Sequence, residues 1–263
     1  MPELPDVEVF KRYLDATSLH KTIEHVEVLL DAPVLGQAAR RRIRQALTGD
    51  RFRGFQRHGK YLFAILEEDG ALVLHFGMTG FLQYFKQEET DTAHNVLRIV
   101  FNSGYSLVYN NNRRLGLVDL TANPERLVQS KGLGPDALDI DPDQFGHVLD
   151  IHRGHIKSLL MNQQAIAGLG HVYSDEILFQ AGLHPRRTVQ GLSVGERRRL
   201  LRSMGRVLRQ TIAKGADPER YPRTFLTPYR SDGAACPRCG APLRRLTIGG
   251  RSAYYCPRRQ REP

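Results

Sequence analysis

Apolar residues Val7, Phe10 and Leu14 follow Pro5 at helical spacing, and a proline fits the first turn of a helix but not its interior, so a helix is predicted almost from the first residue. From Ile23 the period shortens. The runs Ile23-Val26-Val28-Leu30, Tyr61-Phe63-Ile65, Leu72-Leu74-Phe76, Leu97-Ile99-Phe101 and Tyr105-Leu107-Tyr109 read as β-strands. Glu67-Glu68-Asp69-Gly70 and Asn102-Ser103-Gly104 separate them as hairpin turns, which predicts an antiparallel sandwich or barrel. After Gly132-Leu133-Gly134-Pro135 the pattern is helical, with helices predicted near 142–151, 156–163, 171–181 and 194–214. Ser193 and Glu196 form a capping box at the start of the last of these. The stretch from Gly215 to Pro228 holds three prolines without a clear period and reads as a loop into a cysteine-bearing tail. The expected class is α+β. An N-terminal helix and antiparallel β-sandwich occupy 1–131, an α domain 132–228, and a small tail 229–263.

Composition agrees with well-packed domains: of 263 residues, 41% are hydrophobic and 25% charged, which excludes wholesale disorder. No run approaches the ~18 apolar residues of a membrane span, and the start lacks a basic-then-apolar signal region. A cytoplasmic protein with no membrane partner is expected. Lys and Arg exceed Asp and Glu by 38 to 28, a formal charge of +10. From Cys236 to Pro263 seven arginines stand against one acid, Glu262, so the basicity is concentrated at one end. Further runs are Arg40-Arg41-Arg42 with Arg44, Arg113-Arg114, Arg186-Arg187 and Arg197-Arg198-Arg199. Each alone reads as a solvated face; together with the tail they favour a nucleic acid over a small acidic substrate.

The amino terminus has chemistry of its own. Pro2 has a small side chain, so removal of Met1 would leave proline as a free secondary amine. An α-amine has a pKa near ~7.7–8.0 against ~10.4 for lysine, so far more of it is nucleophilic at neutral pH. Attack on a sugar aldehyde carbon gives an iminium, which withdraws electrons and makes neighbouring phosphates eliminable. Glu3, adjacent in sequence, could shuttle the protons. The plainer reading is that Pro2-Glu3-Leu4-Pro5 is a stiff helix entry.

The start MPELPDVE, the segments GKYLFAI and HFGMTG, RRLG after three asparagines, AGLGHVYSDEILFQAGLHP and the CPRCG…YYCP tail stand in an order that resembles the formamidopyrimidine-DNA glycosylase family. The resemblance spans the whole chain. It implies a β-sandwich, a helix-two-turns-helix domain and a zinc-ribbon hairpin. It also implies a monomeric, nucleoid-associated base-excision-repair enzyme that excises oxidised or ring-opened bases from double-stranded DNA and nicks the strand by β,δ-elimination. By matching motif, Pro2 resembles the Schiff-base nucleophile and Glu3 the acid/base. Lys60 resembles the lysine that assists elimination, and Arg251 the finger arginine that grips the lesion phosphate. Met78, Arg113 and Leu115 correspond to the residues that fill the gap left by a flipped nucleotide, a role suited to apolar groups and a cation. His94, His152, Lys157 and His171 fall at backbone-contacting positions.

Four departures bear on base choice. His171 stands where the family usually has asparagine, Asp6 replaces a glutamate, Leu115 replaces the phenylalanine of the wedge, and the loop after Gly215 is shorter than the segment that covers a flipped 8-oxoguanine. Weak discrimination for 8-oxoguanine is expected. A fifth departure concerns the metal. Cys236-x-x-Cys239, 16 residues, then Cys256-Pro-Arg-Arg259 has the spacing of a four-cysteine ribbon with arginine at the fourth ligand position. Three thiolates leave a structural zinc one ligand short, and arginine stays protonated. Zinc bound weakly or not at all is expected, with the hairpin held partly by Leu243, Leu246, Ile248, Tyr254 and Tyr255; a tight zinc with a fourth ligand from elsewhere is the alternative. Two other functions remain: a catalytically silent damaged-DNA-binding module of the same fold, and an RNA- or ribosome-binding protein. Neither explains a reactive terminus.

Overall fold

The computed structural model describes residues 1–29, 37–86 and 94–262, so Leu30 of the first predicted strand lies outside the described residues. The elements run α1 (Leu4–Thr17), β1 (Ile23–Val28), α2 (Gln37–Leu47), β2 (Phe52–His58), β3 (Tyr61–Leu66), β4 (Ala71–His75), β5 (Gly80–Lys86), β6 (Asn95–Phe101), β7 (Tyr105–Asn111), β8 (Leu117–Thr121) and α3 (Pro124–Ser130). They continue with α4 (Pro142–Ile151), α5 (Ile156–Met161), α6 (His171–Ala181), α7 (Val194–Ala213), β9 (Arg244–Ile248) and β10 (Arg251–Tyr255). Two compact units result. The first comprises Met1–Pro2 and Asp6–Lys131, the second Glu3–Pro5 and Gly132–Pro263.

The first unit is a sandwich of two four-stranded antiparallel sheets, ordered β1-β6-β7-β5 and β2-β3-β4-β8. Alternation explains it: Leu62, Ala64 and Leu66 from one sheet and Leu97, Ile99, Leu107 and Tyr109 from the other share a core that Val7 and Leu14 of α1 close. The basic run Arg40–Arg44 lies on a helix within a stretch that reads as strands. Among the described side chains of α2, Ile43 and Leu47 are the buried apolar anchors, one turn apart, and Arg41, Arg42 and Arg44 are exposed around them. So sparse a stripe leaves no period to read.

In the second unit α4 opens on a capping box between Asp141 and Gln144, and α7 on the one between Ser193 and Glu196. Gly182 ends α6 in the left-handed conformation with φ of 66°. The helices bury a core that includes Phe145, Ile156, Leu160, Ile177, Leu200 and Met204, and also Leu4. The β9-β10 hairpin has its own small core, in which Leu243, Cys236 and Cys256 pack with Phe179 of α6 and Leu226. Tyr254 packs against this cluster, and Ile248 and Tyr255 are buried.

Candidate nucleic-acid interface and reaction site

In the first unit, Pro2 is half-buried ahead of α1, and Lys60 sits half-buried in the tight β2–β3 turn beside Gly59, whose φ is 56°. Burial and the nearby Lys60 and Lys131 cations push the His75 imidazole down to about 4, so it is neutral near pH 7. His75 Nδ1 accepts the Gly77 N–H at 3.3 Å, and its ring packs on Tyr61. Sequence reasoning passed over His75; its place at the head of the HFGMTG segment is the signal that could have marked it.

Met78 and the Arg113–Leu115 segment stand on two loops that the fold ties together. Thr79 Oγ1 donates to Asn111 Oδ1 at 3.1 Å and accepts the Arg113 N–H at 3.1 Å, while Asn111 Nδ2 donates to the Phe76 carbonyl and to the Tyr109 hydroxyl. Gly77 lies so close to the Leu115 carbonyl that no side chain fits there. Leu115 is 53% exposed and Met78 39%, so two apolar side chains stand in solvent on loops joined by these hydrogen bonds. Arg113 is exposed beside them, as is His94 in the turn before β6, whose carbonyl accepts the Asn111 N–H.

The second unit assembles Glu3, Lys157, His171 and Arg251. Gly168, Leu169 and Gly170 lead into α6, and the Glu3 carboxylate takes three N–H groups at that helix start, from Gly170 at 2.6 Å, Val172 at 2.9 Å and Tyr173 at 3.3 Å. The Leu4 N–H donates to the Gly168 carbonyl at 2.9 Å, so both ends of the dipeptide are fixed. His171 opens α6, and burial together with the Arg230, Lys157 and Arg251 cations pushes it down to about 4. Its Nδ1 has no hydrogen-bond partner among the described residues. Arg251 is exposed at the hairpin tip, next to Gly249 and Gly250, both with positive φ. His152 follows α4 with Nδ1 donating to the Val148 carbonyl at 2.8 Å, which leaves Nε2 available for an outside partner.

Lys157 differs from expectation. It is fully buried, its ammonium on the Asp175 carboxylate and the His171 carbonyl, so it supports the start of α6 from inside and does not present a charge to solvent. Burial pulls the ammonium pKa down and Asp175 opposes that. Asp175 is a second residue that sequence reasoning missed: it also accepts from Arg230 at 2.9 Å and from the Tyr254 N–H at 3.2 Å, joining α6 to the hairpin. The polar run Ser174-Asp175-Glu176, set between Val172-Tyr173 and Ile177-Leu178-Phe179, is the signal that could have marked it, and all three are fully buried in the fold.

The thiol sulfurs of Cys236, Cys239 and Cys256 lie within 4.8 Å of one another, a spacing that suits one tetrahedral ion. The group has three members among the described residues, and Arg259 is exposed, so the donor set is not that of a closed structural site. Burial pushes the Cys256 thiol up to about 11, while the Ala241 N–H brings Cys239 down. A second tie needs no metal: the fully buried Gln260 accepts the Cys256 N–H at 2.9 Å and donates to the Leu183 carbonyl at 2.8 Å.

Three family models match the chain: the formamidopyrimidine-DNA glycosylase N-terminal domain over residues 1–118, the H2TH domain of the same glycosylase over 132–221, and a zinc finger found in FPG and IleRS over 233–258. Among curated relatives, the formamidopyrimidine-DNA glycosylase of Dichelobacter nodosus is 35% identical over 285 residues, covering 99% of this chain and all of its own. That of Thermomicrobium roseum is 35% identical over 294 residues, with 99% of each chain covered. Among solved structures, the Lactococcus lactis enzyme bound non-covalently to DNA containing an AP site superposes with a TM-score of 0.89 at 27% identity, over 99% of this chain and 100% of that one. The wild-type form of the same enzyme, in complex with DNA containing N7-benzyl-Fapy-dG, gives 0.88 at 27% identity, with the same coverage.

Proposed function

Because the chain belongs to the formamidopyrimidine-DNA glycosylase family of DNA-repair enzymes, we propose that it removes oxidised or ring-opened bases and then nicks the strand as an AP lyase through a Schiff base at Pro2. After Met1 is removed, the Pro2 amine attacks C1′ of the damaged nucleotide, the base leaves, and the iminium acidifies the sugar so that β- and then δ-elimination expel the two phosphates. Glu3 carries the protons to and from the sugar and base, Lys60 assists the first elimination, and Arg251 with His171 holds the lesion phosphate. Met78, Arg113 and Leu115 occupy the gap in the stack, and His94 and His152 contact the backbone. Lys157 serves this site by holding the start of α6.

The observation that carries the reading is the Glu3 carboxylate seated on three N–H groups at the start of α6, one peptide bond from Pro2. The seat also caps the start of α6, so what favours chemistry over a silent module is that the capping acid is bonded directly to the residue whose amine would be the nucleophile. Leu115 in the wedge and the short loop after Gly215 favour weak discrimination for 8-oxoguanine. Zinc, when bound, would be held weakly by the three thiolates and would supply only structural support. No helix among the described residues is long and apolar enough to cross a membrane. The test is borohydride trapping on duplex DNA with an abasic site. Protein shown by mass spectrometry to start at Pro2 should give a covalent adduct, and binding of that DNA without an adduct would refute the lyase mechanism in favour of the silent module.

A further inference from the structure

The stripe Arg198, Arg202, Arg206 and Arg209 repeats every three or four residues along α7, with Arg199 beside it, and all five side chains are exposed. Among the described residues no carboxylate pairs with any of them; Arg197, by contrast, is taken by Asp150, and Arg187 by Glu196. Like charges one turn apart destabilise an isolated helix, and no ion pair among the described residues offsets that cost.

Two arginines from the cysteine tail join it at the C-terminal end of α6. Arg238 Nη2 donates to Gln180 Oε1 at 2.5 Å, and the Arg259 carbonyl lies where a side chain on Gly182, the cap of that helix, would meet it. Arg199 Nε donates to the Ala181 carbonyl at 3.3 Å. The negative helix end accounts for that last contact but not for the exposed guanidinium groups around it. Gln180, Ala181 and Gly182 are consecutive, so Arg238, Arg199 and the Arg259 backbone converge on the last turn of α6. Arg259, the residue at the lost fourth ligand position, therefore belongs to a cationic cluster.

We propose that this face of α7, with Arg238 and Arg259, is a second duplex-binding surface that holds the backbone phosphates of another DNA segment while damaged DNA occupies the site. The inference rests on the glycosylase reading above. The two surfaces are separable because α6 spaces them. Its N-terminal end carries Glu3 and His171, and its C-terminal end, about 15 Å away at 1.5 Å per residue, carries the arginine cluster. Sequence-independent phosphate contacts of this kind let a protein pass from one DNA segment to another without first coming free.

The experiment follows dissociation from a short labelled duplex carrying a tetrahydrofuran abasic analogue while unlabelled, undamaged duplex is added in increasing amounts. For the unmodified protein the dissociation rate should rise several-fold with competitor concentration. In the triple variant Arg202→Gln, Arg206→Gln, Arg209→Gln it should stay flat, with nicking of an abasic duplex unchanged, and lysine at the same positions should restore the rise. A flat profile for the unmodified protein, or an equal rise in the glutamine variant, would overturn the proposal. So would weaker binding of the labelled duplex by that variant, which would place the arginines in the primary interface, or acceleration by polyglutamate and not by duplex, which would assign the face to an acidic protein. Failure to bind the damaged duplex at all would instead sink the glycosylase reading, and this proposal with it.

Discussion

Gly170 and Glu3 leave no room between them: the Gly170 N–H donates to Glu3 Oε2 at 2.6 Å, and a Cβ on Gly170 would come closer than 3.0 Å to the same carboxylate. Hydrogen bond and bare Cα are two sides of one fit. Alanine at 170 should push the carboxylate out of its seat, and a displacement of about 1 Å in a reacting group costs on the order of 10²-fold in rate. Overpacking of this size costs only about 1–3 kcal/mol in stability. Gly170→Ala should thus remain folded by thermal melting and lose base excision under single-turnover conditions; excision at the unmodified rate would show that Glu3's position does not matter.

The partners of Asp175 make an asymmetric prediction. Lys157 is fully buried, so Asp175→Ala strands an ammonium in the interior and should cost about 3–5 kcal/mol in denaturant unfolding. Lys157→Met should cost distinctly less, because Asp175 keeps Arg230 and the Tyr254 N–H. Equal losses would mean that the pair, and not the stranded charge, sets the energy.

His75 and His171 set an acid limit. Both have folded pKa values near 4 against an ordinary 6.5. Between those values the unfolded chain binds protons that the native one refuses, so the two histidines should make stability fall as pH drops from 6.5 to 4, below which further loss comes from carboxylates. His171→Asn should flatten part of that slope in melts taken across the window, and an unchanged slope would mean that His171 is protonated in the fold.

Zinc content should follow the thiol count. Protein purified without chelator should hold well under one zinc per chain, and mild chelation should remove it with little change in melting temperature, since Gln260 and the apolar contacts of the hairpin remain. Arg259→Cys should raise zinc retention and melting temperature together. Stoichiometric zinc that survives chelation of the unmodified chain would establish a fourth ligand.

Three helices of the second unit were legible from an end signal, Asp141 and Ser193 at the starts of α4 and α7 and Gly182 at the stop of α6. The sandwich was legible from short β-rich runs separated by the turns at 67–70 and 102–104, although β3, β4, β6 and β7 are buried on both faces and do not alternate strictly. α2 was not, because its described apolar anchors are Ile43 and Leu47 alone, set among four arginines. Candidate residues could be named from motifs, but not their surroundings. Nothing local distinguishes Lys157, sealed against Asp175, from a lysine that meets solvent, since the partner is supplied 18 residues later by another helix. Glu3's seat is likewise a property of Gly170, Val172 and Tyr173, far along the chain.

Leu4 is fully buried in the core of the helical unit, although residues 6–131 build the other one. For protein engineering this means that a gene cut at the 131/132 boundary is not a cut between two self-sufficient parts. A fragment beginning at Gly132 would carry an empty socket where Leu4 packs and a bare helix start where Glu3 sits. Supplied with a short synthetic peptide matching the first residues of the chain, that fragment becomes a candidate for split-protein complementation.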